Sequence, residues 1–349
     1  MYKSRFSIIT LVIGIVISSC SSTNFLTVGV TEPSPVHLSS DIKTIGIIDR
    51  SLPSEENEKI DNLDKILSIE GKNFDKDAAR QTVIGLHDEL LKNGRFSDVK
   101  IIDSISVRSP GLGVFPSALS WGTVQQLCAE NNVDALFVLS FYDTDTKIDY
   151  RAVPLKINGP LGVKIPALEH HANVATLIKT CWRIYDPFNQ LILDEYLENE
   201  QIKSTGVGIN PVKAVESIMG RKEAVLQASN NMGHNYALRI LPYRIRVSRQ
   251  YFVRGTNNFK IAKRRAQTGD WNGAADLWEV EVSNPKRKVA GRACYNMGII
   301  NEINGDLDAA VEWTSKSYTD YKIKKALQYL NILNYRIERE IQLQEQMSE

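Results

Sequence analysis

The sequence has few cysteines, almost no net charge and no stretch of about 18 apolar residues, the length that a transmembrane helix needs. Its 349 residues include only 4 Cys, which excludes a scaffold held together by disulfides. The 42 Lys and Arg balance 41 Asp and Glu, so a nucleic-acid binder that relies on a strong basic field is excluded. With 43% hydrophobic residues the chain can build cores, and its length favours about two domains.

Patterns typical of enzymes and metal sites are also missing. No Ser lies in a G-x-S-x-G frame, and residues 111–113 (Gly-Leu-Gly) lack the later Gly and Lys of phosphate loops. His170 and His171 are neighbours, so in a strand they would point to opposite faces and could not share a zinc ion. Three aspartates between residues 143 and 149 lack the glycine of a calcium loop. We therefore predict a non-enzymatic protein without a metal or a cofactor.

The first 20 residues resemble the signal peptide of a bacterial lipoprotein. Lys3 and Arg5 precede an apolar run over residues 6–17, which is too short to span a bilayer. The run ends in Ile17-Ser18-Ser19-Cys20, which resembles a lipobox. The resemblance implies that Cys20 carries palmitate-type chains and becomes the first residue of the mature protein. The alternative is a plain signal peptide with a chance cysteine.

The residues after the lipobox predict the membrane that holds the anchor. Ser21 replaces the Asp that would resemble an inner-membrane retention signal. Residues 21–24 also lack the acidic residues that resemble the surface-export signal of Bacteroidota lipoproteins. We expect a lipid anchor in the outer membrane with the body facing the periplasm, and surface exposure is the alternative.

Acylation of one cysteine would leave an odd number of thiols. In an oxidising compartment at least one of them then stays free. We expect the remaining cysteines to behave as small buried apolar residues, and a disulfide between Cys128 and Cys181 is the open alternative. The three cysteines are Cys128, Cys181 and Cys294.

Residues 21–255 alternate strands and helices, which predicts an α/β (α+β) domain with a mixed sheet. Two amphipathic helices are expected near residues 75–93 and 117–130, and a third runs from Asn210-Pro211 to about Asn235. Pro242 interrupts the last strand and suggests a sheet edge. The expected strands cover residues 25–31, 44–49, 99–103, 134–142, 172–185, 190–202 and 238–252.

Charges of opposite sign separate onto two of these segments. Acidic residues occur at 194–200 and arginines at 239–254. We expect cross-strand ion pairs between the two segments. The alternative is that the arginines, including Arg244 and Arg246, contact anionic lipid or glycan phosphates near the membrane.

Residues 256–349 predict an all-α region with an internal repeat. Gly269-Asp270-Trp271 matches Gly305-Asp306-Leu307 at a spacing of 36 residues, and Ala274 matches Ala310. The pattern resembles the tetratricopeptide repeat, although the spacing of 36 residues is longer than the period of about 34 residues that is typical of that repeat. Arg265 and Asn301 stand where that repeat has an aromatic residue in its first helix.

The resemblance implies two stacked helical hairpins, capped by a long helix over about residues 318–346. Three tryptophans in this region are expected mainly in the core. Together with two arginines of the preceding strand they also form the candidate interaction surface: Trp271, Trp278, Trp313, Arg244 and Arg246. The expected buried stripe of the capping helix consists of Ile323, Leu327, Leu330, Leu333, Ile337 and Ile341.

The whole chain resembles an uncharacterised family of Bacteroidota lipoproteins. The resemblance rests on the lipobox, Pro35-Val36, Ile45 to Ile48, Pro242-Tyr243, Gly269-Asp270-Trp271, Ala274-Ala275 and Trp278. The resemblance implies a domain of unknown function and therefore supplies no activity. The first strands and helices are also similar, at the level of fold alone, to periplasmic domains of curli-secretion and TolB-type lipoproteins.

The sequence thus predicts a non-enzymatic scaffold anchored to the outer membrane, whose helical repeat binds a protein partner of the envelope and no nucleic acid. The first alternative is an enzyme or ligand carrier with a site at the strand ends, around residues 111–120 and 142–149. The second is a secretion-pore subunit whose hairpin, residues 172–203, enters the membrane. Its charged residues speak against a lipid-facing strand.

Overall fold

The computed structural model describes residues 22–51, 74–103, 116–158, 164–218 and 220–348. The expected signal peptide, Cys20 and residues 111–113 lie outside these ranges. The chain forms two units: a sheet unit, Ser34–Leu241, and a strand–helix unit that combines the residues up to Pro33 with Pro242–Ser348. We had expected the boundary near Arg254-Gly255, but in the structure the last strand groups with the helices.

The elements, in chain order, are β1 (Thr23–Glu32), β2 (Thr44–Asp49), α1 (Phe74–Lys92), β3 (Asp98–Ile102), α2 (Trp121–Asn131), β4 (Ala135–Asn158), β5 (Lys164–Asp186), β6 (Leu191–Gly208), α3 (Pro211–Glu216), α4 (Arg221–Ala237), β7 (Tyr243–Phe252), α5 (Asn257–Gln267), α6 (Trp271–Glu281), α7 (Arg287–Asn304), α8 (Leu307–Thr319) and α9 (Lys324–Ser348). None of the helices in the described ranges is both long and apolar enough to cross a membrane.

The sheet unit is built on five strands in the order β3-β2-β4-β5-β6. β2 runs parallel to β3 and β4, whereas β4, β5 and β6 are antiparallel, so the predicted mixed sheet is confirmed. Alternate residues enter two cores. Ile45 and Phe137 pack on the side of α1 and α4, and Leu136 and Val138 pack on the side of α2.

The strand β4 is much longer than its sequence predicted. It was expected to end at Tyr142, but it continues to Asn158 and pairs with β5 as far as Lys164. Residues 147–154 are exposed, so both faces of this part tolerate polar side chains. Ile148, Tyr150 and Ala152 do alternate with charged residues, so the period-two signal of a strand was present in the sequence and was missed.

Two glycines allow α1 and α4 to pack with their backbones in contact. A Cβ at Gly233 would lie 1.8 Å from the carbonyl oxygen of Thr82, and one at Gly85 would lie 2.0 Å from that of Asn230. No side chain fits at either place without separating the helices. Gly220, where φ is +73°, divides the single helix that the sequence predicted into α3 and α4.

The strand–helix unit joins the two ends of the described chain. β1 pairs antiparallel with β7 along its full length, from Thr23 opposite Phe252 to Glu32 opposite Tyr243. Leu26, Val28 and Val30 on one face of this pair belong to the core shared with the helices. Both strands were predicted, but the second was expected to start at Leu238, whereas Leu238–Ile240 form a 3-10 helix and β7 begins after Pro242. The pairing of the two strands was not predicted.

The five helices α5 to α9 follow as two hairpins and a long final helix. Gly269 and Gly305 end α5 and α7 with φ of +86° and +85°. Asp270 and Asp306 then cap α6 and α8 by accepting hydrogen bonds from the backbone N–H three residues later. The N–H groups of the same two aspartates donate to the carbonyls of Arg265 and Asn301, both at 2.9 Å.

A buried carboxylate lies between β7, α7 and α9. The side chain of Glu302 has no exposed surface and accepts hydrogen bonds from Arg249 Nε and Nη2, Arg336 Nη1 and Tyr329 Oη. Burial alone would raise the pKa of Glu302, but the bonds from Arg249, Tyr329 and Arg336 lower it. The carboxylate is therefore charged inside the core.

The expected cross-strand ion pairs are wrong, because the one arginine of this set that binds one of these acids, Arg239, lies in the short 3-10 helix Leu238–Ile240 and not in a strand. β6 and β7 lie in different sheets, so most of the arginines at 239–254 never meet the acids at 194–200. Only Arg239 does so, through two 3.1 Å hydrogen bonds to Asp194. Arg249 instead belongs to the Glu302 network.

The buried stripe of α9 also differs from the expected one. Its buried residues are Ala326, Tyr329, Leu333 and Leu343, whereas Leu327 and Ile341 are exposed. The helix is rotated about its axis relative to the expected orientation, because Tyr329 and Arg336 donate hydrogen bonds to Glu302. Polar contacts, which a hydrophobic pattern ignores, determine the orientation of this helix.

The glycine contact between α1 and α4 predicts that Gly233→Ala destabilises the protein. The added methyl group must push the helices apart, at a cost of about 1–3 kcal/mol. The free energy of unfolding, measured by urea denaturation, checks this. Gly122→Ala on α2 is the matched control: its nearest neighbour, Ser120 Oγ, is 4.0 Å away, so we expect it to be neutral or to stabilise by up to about 1 kcal/mol.

Removal of the charge at Glu302 should destabilise the strand–helix unit strongly. Glu302→Gln leaves Arg249 and Arg336 without their counter-charge, and breaking a buried pair costs about 3–5 kcal/mol. Glu312→Gln on the exposed surface of α8 should change stability by less than about 0.5 kcal/mol.

The pH dependence of the same pair of proteins provides the second part of this test. Because folding lowers the pKa of Glu302, its contribution is complete above the unfolded value of about 4.3 and is lost as the pH falls below it. The stability difference between the parent protein and Glu302→Gln should therefore narrow in acid. A difference that is constant down to pH 3 would contradict a charged Glu302.

Candidate functional site

The sheet unit contains a cavity of about 580 Å³ at the amino ends of its parallel strands. The chain reaches it just before β2 and just before β4, and α2 and the turn after β5 close its sides. Its polar lining consists of Ser39, Asp41, Gln125, Asp134, Asp186 and Asn189, and its apolar lining of Ile42, Cys128, Val133, Pro187 and Phe188.

Asp134 joins the starts of β2 and β4 at the edge of this cavity. Its Oδ2 accepts hydrogen bonds from the N–H of Lys43 at 2.9 Å, the N–H of Thr44 at 2.7 Å and the Thr44 hydroxyl at 2.8 Å. Burial would raise the pKa of Asp134, but the hydrogen bonds from Thr44 and Lys43 lower it. The cavity therefore has a carboxylate that stays charged at neutral pH.

Asp186 shapes the turn that closes the other side. Its Oδ1 accepts from the N–H groups of Phe188 and Asn189, and its Oδ2 accepts from Asn189 Nδ2 at 2.8 Å. Gln125 on α2 donates to the carbonyl of Pro187 at 3.3 Å. Phe188 in this turn lines the cavity, and 92% of its surface is exposed. Its aromatic ring therefore lies beside the polar groups of the cavity.

The thiol in the cavity is not a nucleophile. Cys128 is buried, and burial first, then the charges of Asp134 and Asp186, raise its pKa to about 12. A thiol with this pKa is protonated at neutral pH, and the thiolate is the reactive form. Cys181 and Cys294 are also buried and free, so the disulfide between Cys128 and Cys181 that the sequence left open is absent in the structure.

The lining is suited to binding. Carboxylate and amide groups can pair with a cation or with hydroxyl groups, and Ile42, Val133 and Phe188 supply apolar contact. The side chains that line the cavity include no Lys, Arg or His, so the charge inside is negative. A small polar or cationic ligand with an apolar part has the chemistry that fits.

The strand-end site named by the sequence lies only partly within the described residues. Residues 111–115 lie outside the described ranges, and the described part, 116–120, is held by Arg50 and Arg183, whose Nη1 atoms donate to the carbonyls of Ser117 and Pro116. Leu119 lies in the core on the α2 side, whereas Tyr142 lies in the core on the α1 side and bonds to Ser229 at 2.6 Å. Leu119 and Tyr142 thus lie on opposite sides of the sheet.

Each of the charged clusters that the sequence singled out has local partners. The Tyr150 hydroxyl and ring contact His170, and Glu169 binds His171 Nε2 at 2.8 Å. Lys179 lies 3.6 Å from Asp143, and Arg151 lies 3.4 Å from Asp149. Across the described residues, no group of three or more His, Cys, Asp and Glu side chains is placed to hold a metal ion.

The candidate interaction surface in the strand–helix unit separates into core and surface residues. Trp278 has no exposed surface and packs against Tyr251, so it is removed from the candidate surface. Trp271 and Trp313 are half-buried, the first beside Tyr251 and the second beneath Lys316. Arg244 and Arg246 are exposed.

Sequence reasoning missed the cavity because its residues come from four separate segments. Asp186-Pro187-Phe188-Asn189 was recognised as a turn, and this was the one local signal. The positions of Asp41, Asp134 and Cys128 next to that turn depend on the pairing of β2 with β4 and on the docking of α2. Spacing along one segment contains neither.

Comparison with solved structures finds weak likenesses. A PelC dodecamer from Paraburkholderia phytofirmans has 9% identity and a TM-score of 0.26, and covers 62% of this chain and 99% of its own. A variant PelC dodecamer from the same organism has 10% identity and a TM-score of 0.24 at the same coverage. Scores this low carry no argument about this chain. A search of curated proteins finds no match.

Two family models match the sequence, both for domains of unknown function. One, DUF6340, covers residues 260–336 in the helices. The other, DUF8603, covers residues 42–252, which is more than half of the 349 residues. Over that region this chain belongs to the DUF8603 family, an uncharacterised family.

Proposed function

We propose that this protein is a lipid-anchored, non-enzymatic scaffold on the periplasmic side of the outer membrane, whose helices α5 to α9 bind a protein partner. The observation that supports a repeat is the pair of turns 36 residues apart. Both use a glycine with positive φ, an aspartate cap and the same backbone hydrogen bond. Stacked helical hairpins of the tetratricopeptide type leave helix faces free for partner proteins.

Small residues at the helix contacts support the same interpretation. A Cβ at Gly298 would lie 2.2 Å from Thr314 Oγ1 and 3.1 Å from the carbonyl oxygen of Ala310, so α7 and α8 pack closely. Ala262 and Ala274 are fully buried in the corresponding hairpin of α5 and α6. Two hairpins are fewer than the three or so that such repeats need, and the strand pair β1–β7 supplies part of their core.

The lipid anchor is the part of the proposal that rests on sequence. The resemblance of residues 17–20 to a lipobox supports acylation at Cys20, and β1 begins at Thr23, three residues later. Three extended residues span at most about 11 Å, so a lipid on Cys20 would hold this unit close to the bilayer.

The alternative function is a ligand carrier that uses the cavity of the sheet unit. The observation that favours it is an exposed aromatic ring, Phe188, beside Asp186, Asn189 and the charged Asp134. The cavity size falls in the range of small-molecule sites, which is about 300–1,000 Å³. Its place differs from the strand-end site that the sequence suggested.

Acylation predicts a mass and a start point for the mature protein. Intact-mass analysis of protein extracted from membranes should show loss of residues 1–20 and addition of fatty acyl chains at Cys20. Cys20→Ala should accumulate as an unacylated precursor, because the thiol that receives the lipid is gone. A parent protein that begins at Met1 and carries no fatty acid would contradict the anchor.

Partner binding predicts crosslinks from the helices and none from the cavity turn. A photoreactive amino acid at the exposed positions Val280 and Tyr335 should give a discrete protein adduct in intact cells. The matched control positions are Phe188 and Leu191, which are equally apolar and exposed but lie in the sheet unit. Adducts confined to these control positions would contradict the helical surface and favour the cavity.

A further inference from the structure

The outer face of the β1–β7 pair is polar, exposed and positively charged. Alternation points Leu26, Val28 and Val30 into the core, so their neighbours point outward. The exposed residues of this outer face are Phe25, Thr27, Gly29, Thr31, Arg244, Arg246 and Ser248. The set contains two guanidinium groups and no carboxylate.

Glycine brings the two arginines together. Gly29 lies directly opposite Arg246 in the strand pairing. Arg244 Nη2 lies 3.5 Å from the position that a Cβ at Gly29 would occupy, so this side chain crosses β1 over the bare glycine. The two positive groups thus share one patch of the sheet.

Within the described ranges, neither arginine forms an ion pair, unlike Arg249 and Arg239. Arg249 on the inner face binds Glu302, and Arg239 binds Asp194. Like charges on one face of a sheet repel, so a face with two guanidinium groups and no acid favours an anion. Because the expected cross-strand ion pairs with residues 194–200 do not form, the remaining expectation for Arg244 and Arg246 is contact with phosphate groups.

The place of this face in the chain points to the source of the anion. β1 starts three residues after Cys20, so a lipid there would hold Thr23 within about 11 Å of the membrane and Phe25 within about 18 Å. Arg246 and Arg244 lie opposite Gly29 and Thr31, farther along β1, so they come within the roughly 8 Å range of electrostatic attraction at physiological salt when the strand pair lies along the membrane surface. Phe25 has 64% of its surface exposed, and such rings partition into the bilayer interface.

We propose that Arg244, Arg246 and Phe25 form a docking surface for the anionic phospholipids of the membrane that holds the anchor. This inference rests on the proposed acylation for its biological setting. Each arginine strengthens contact with an anionic surface about fivefold, so both contribute about 25-fold. That is too little to recruit a free protein, but it is enough to orient a tethered one.

The test supplies the tether artificially, so it does not depend on acylation in cells. Residues 21–349, which contain every described residue, receive a hexahistidine tag before Ser21 and bind vesicles through a nickel-chelating lipid. Ser248→Cys carries a fluorophore, and because Cys128, Cys181 and Cys294 are buried, labelling is selective. A spin label on the lipid headgroup reports proximity by quenching.

We expect quenching at residue 248 on phosphatidylglycerol vesicles and little on phosphatidylcholine alone. R244Q/R246Q should lower the ratio of docked to undocked protein about 25-fold, and high salt should act in the same direction. K260Q/R264Q removes two exposed charges from α5 and is the matched control, which should leave quenching unchanged. A fluorophore at Glu312→Cys on α8 should stay unquenched on both vesicles.

Three results would overturn the proposal. The first is equal quenching on neutral and anionic vesicles, and the second is quenching that survives R244Q/R246Q. The third is protection of the fluorophore that rises with protein concentration in the absence of vesicles, which would assign the face to a second copy of the chain. Each leaves the mass of the mature protein, and therefore the test of acylation, unaffected.

Discussion

The strand–helix unit depends on one buried ion cluster. Glu302 is charged, fully enclosed and bonded to Arg249, Arg336 and Tyr329, which come from a strand and a helix far apart in the sequence. An unpaired charge in this place would cost several kcal/mol, so the cluster admits one arrangement of β7, α7 and α9. Since β7 in turn pairs with β1, the same constraint sets where the start of the described chain lies.

The sheet unit depends on close helix packing and on hydrogen bonds at the starts of its strands. Its helices α1 and α4 touch through glycines, and its parallel strands bring Asp134 to the backbone of Lys43 and Thr44. These contacts leave a cavity at the amino ends of the strands, while the opposite strand ends are occupied by Arg50, Arg183 and the loop that they bind. This cavity therefore lies away from the place where parallel sheets usually bind ligands.

The two proposed surfaces of the strand–helix unit are compatible with each other. The inner face of β1–β7 is covered by helices, which leaves the outer face, with Arg244 and Arg246, free for a membrane. The helices also expose apolar residues such as Val280 and Tyr335, which the proposed protein partner would contact. One short strand pair would then connect an anchor, a lipid contact and a binding surface.

The sequence by itself determined the local elements: the strand at 44–49, the hairpin after Asp186-Pro187, the capped turns at Asp270 and Asp306, and the mixed character of the sheet. Each of these follows from alternation, capping or turn chemistry within a few residues. The tertiary structure alone decided that β1 pairs with β7, that Arg249 binds Glu302 and that β6 and β7 belong to different sheets. It also decided the place of the cavity. Pairing between distant segments depends on which surfaces meet in space, and spacing along one segment contains no information about that.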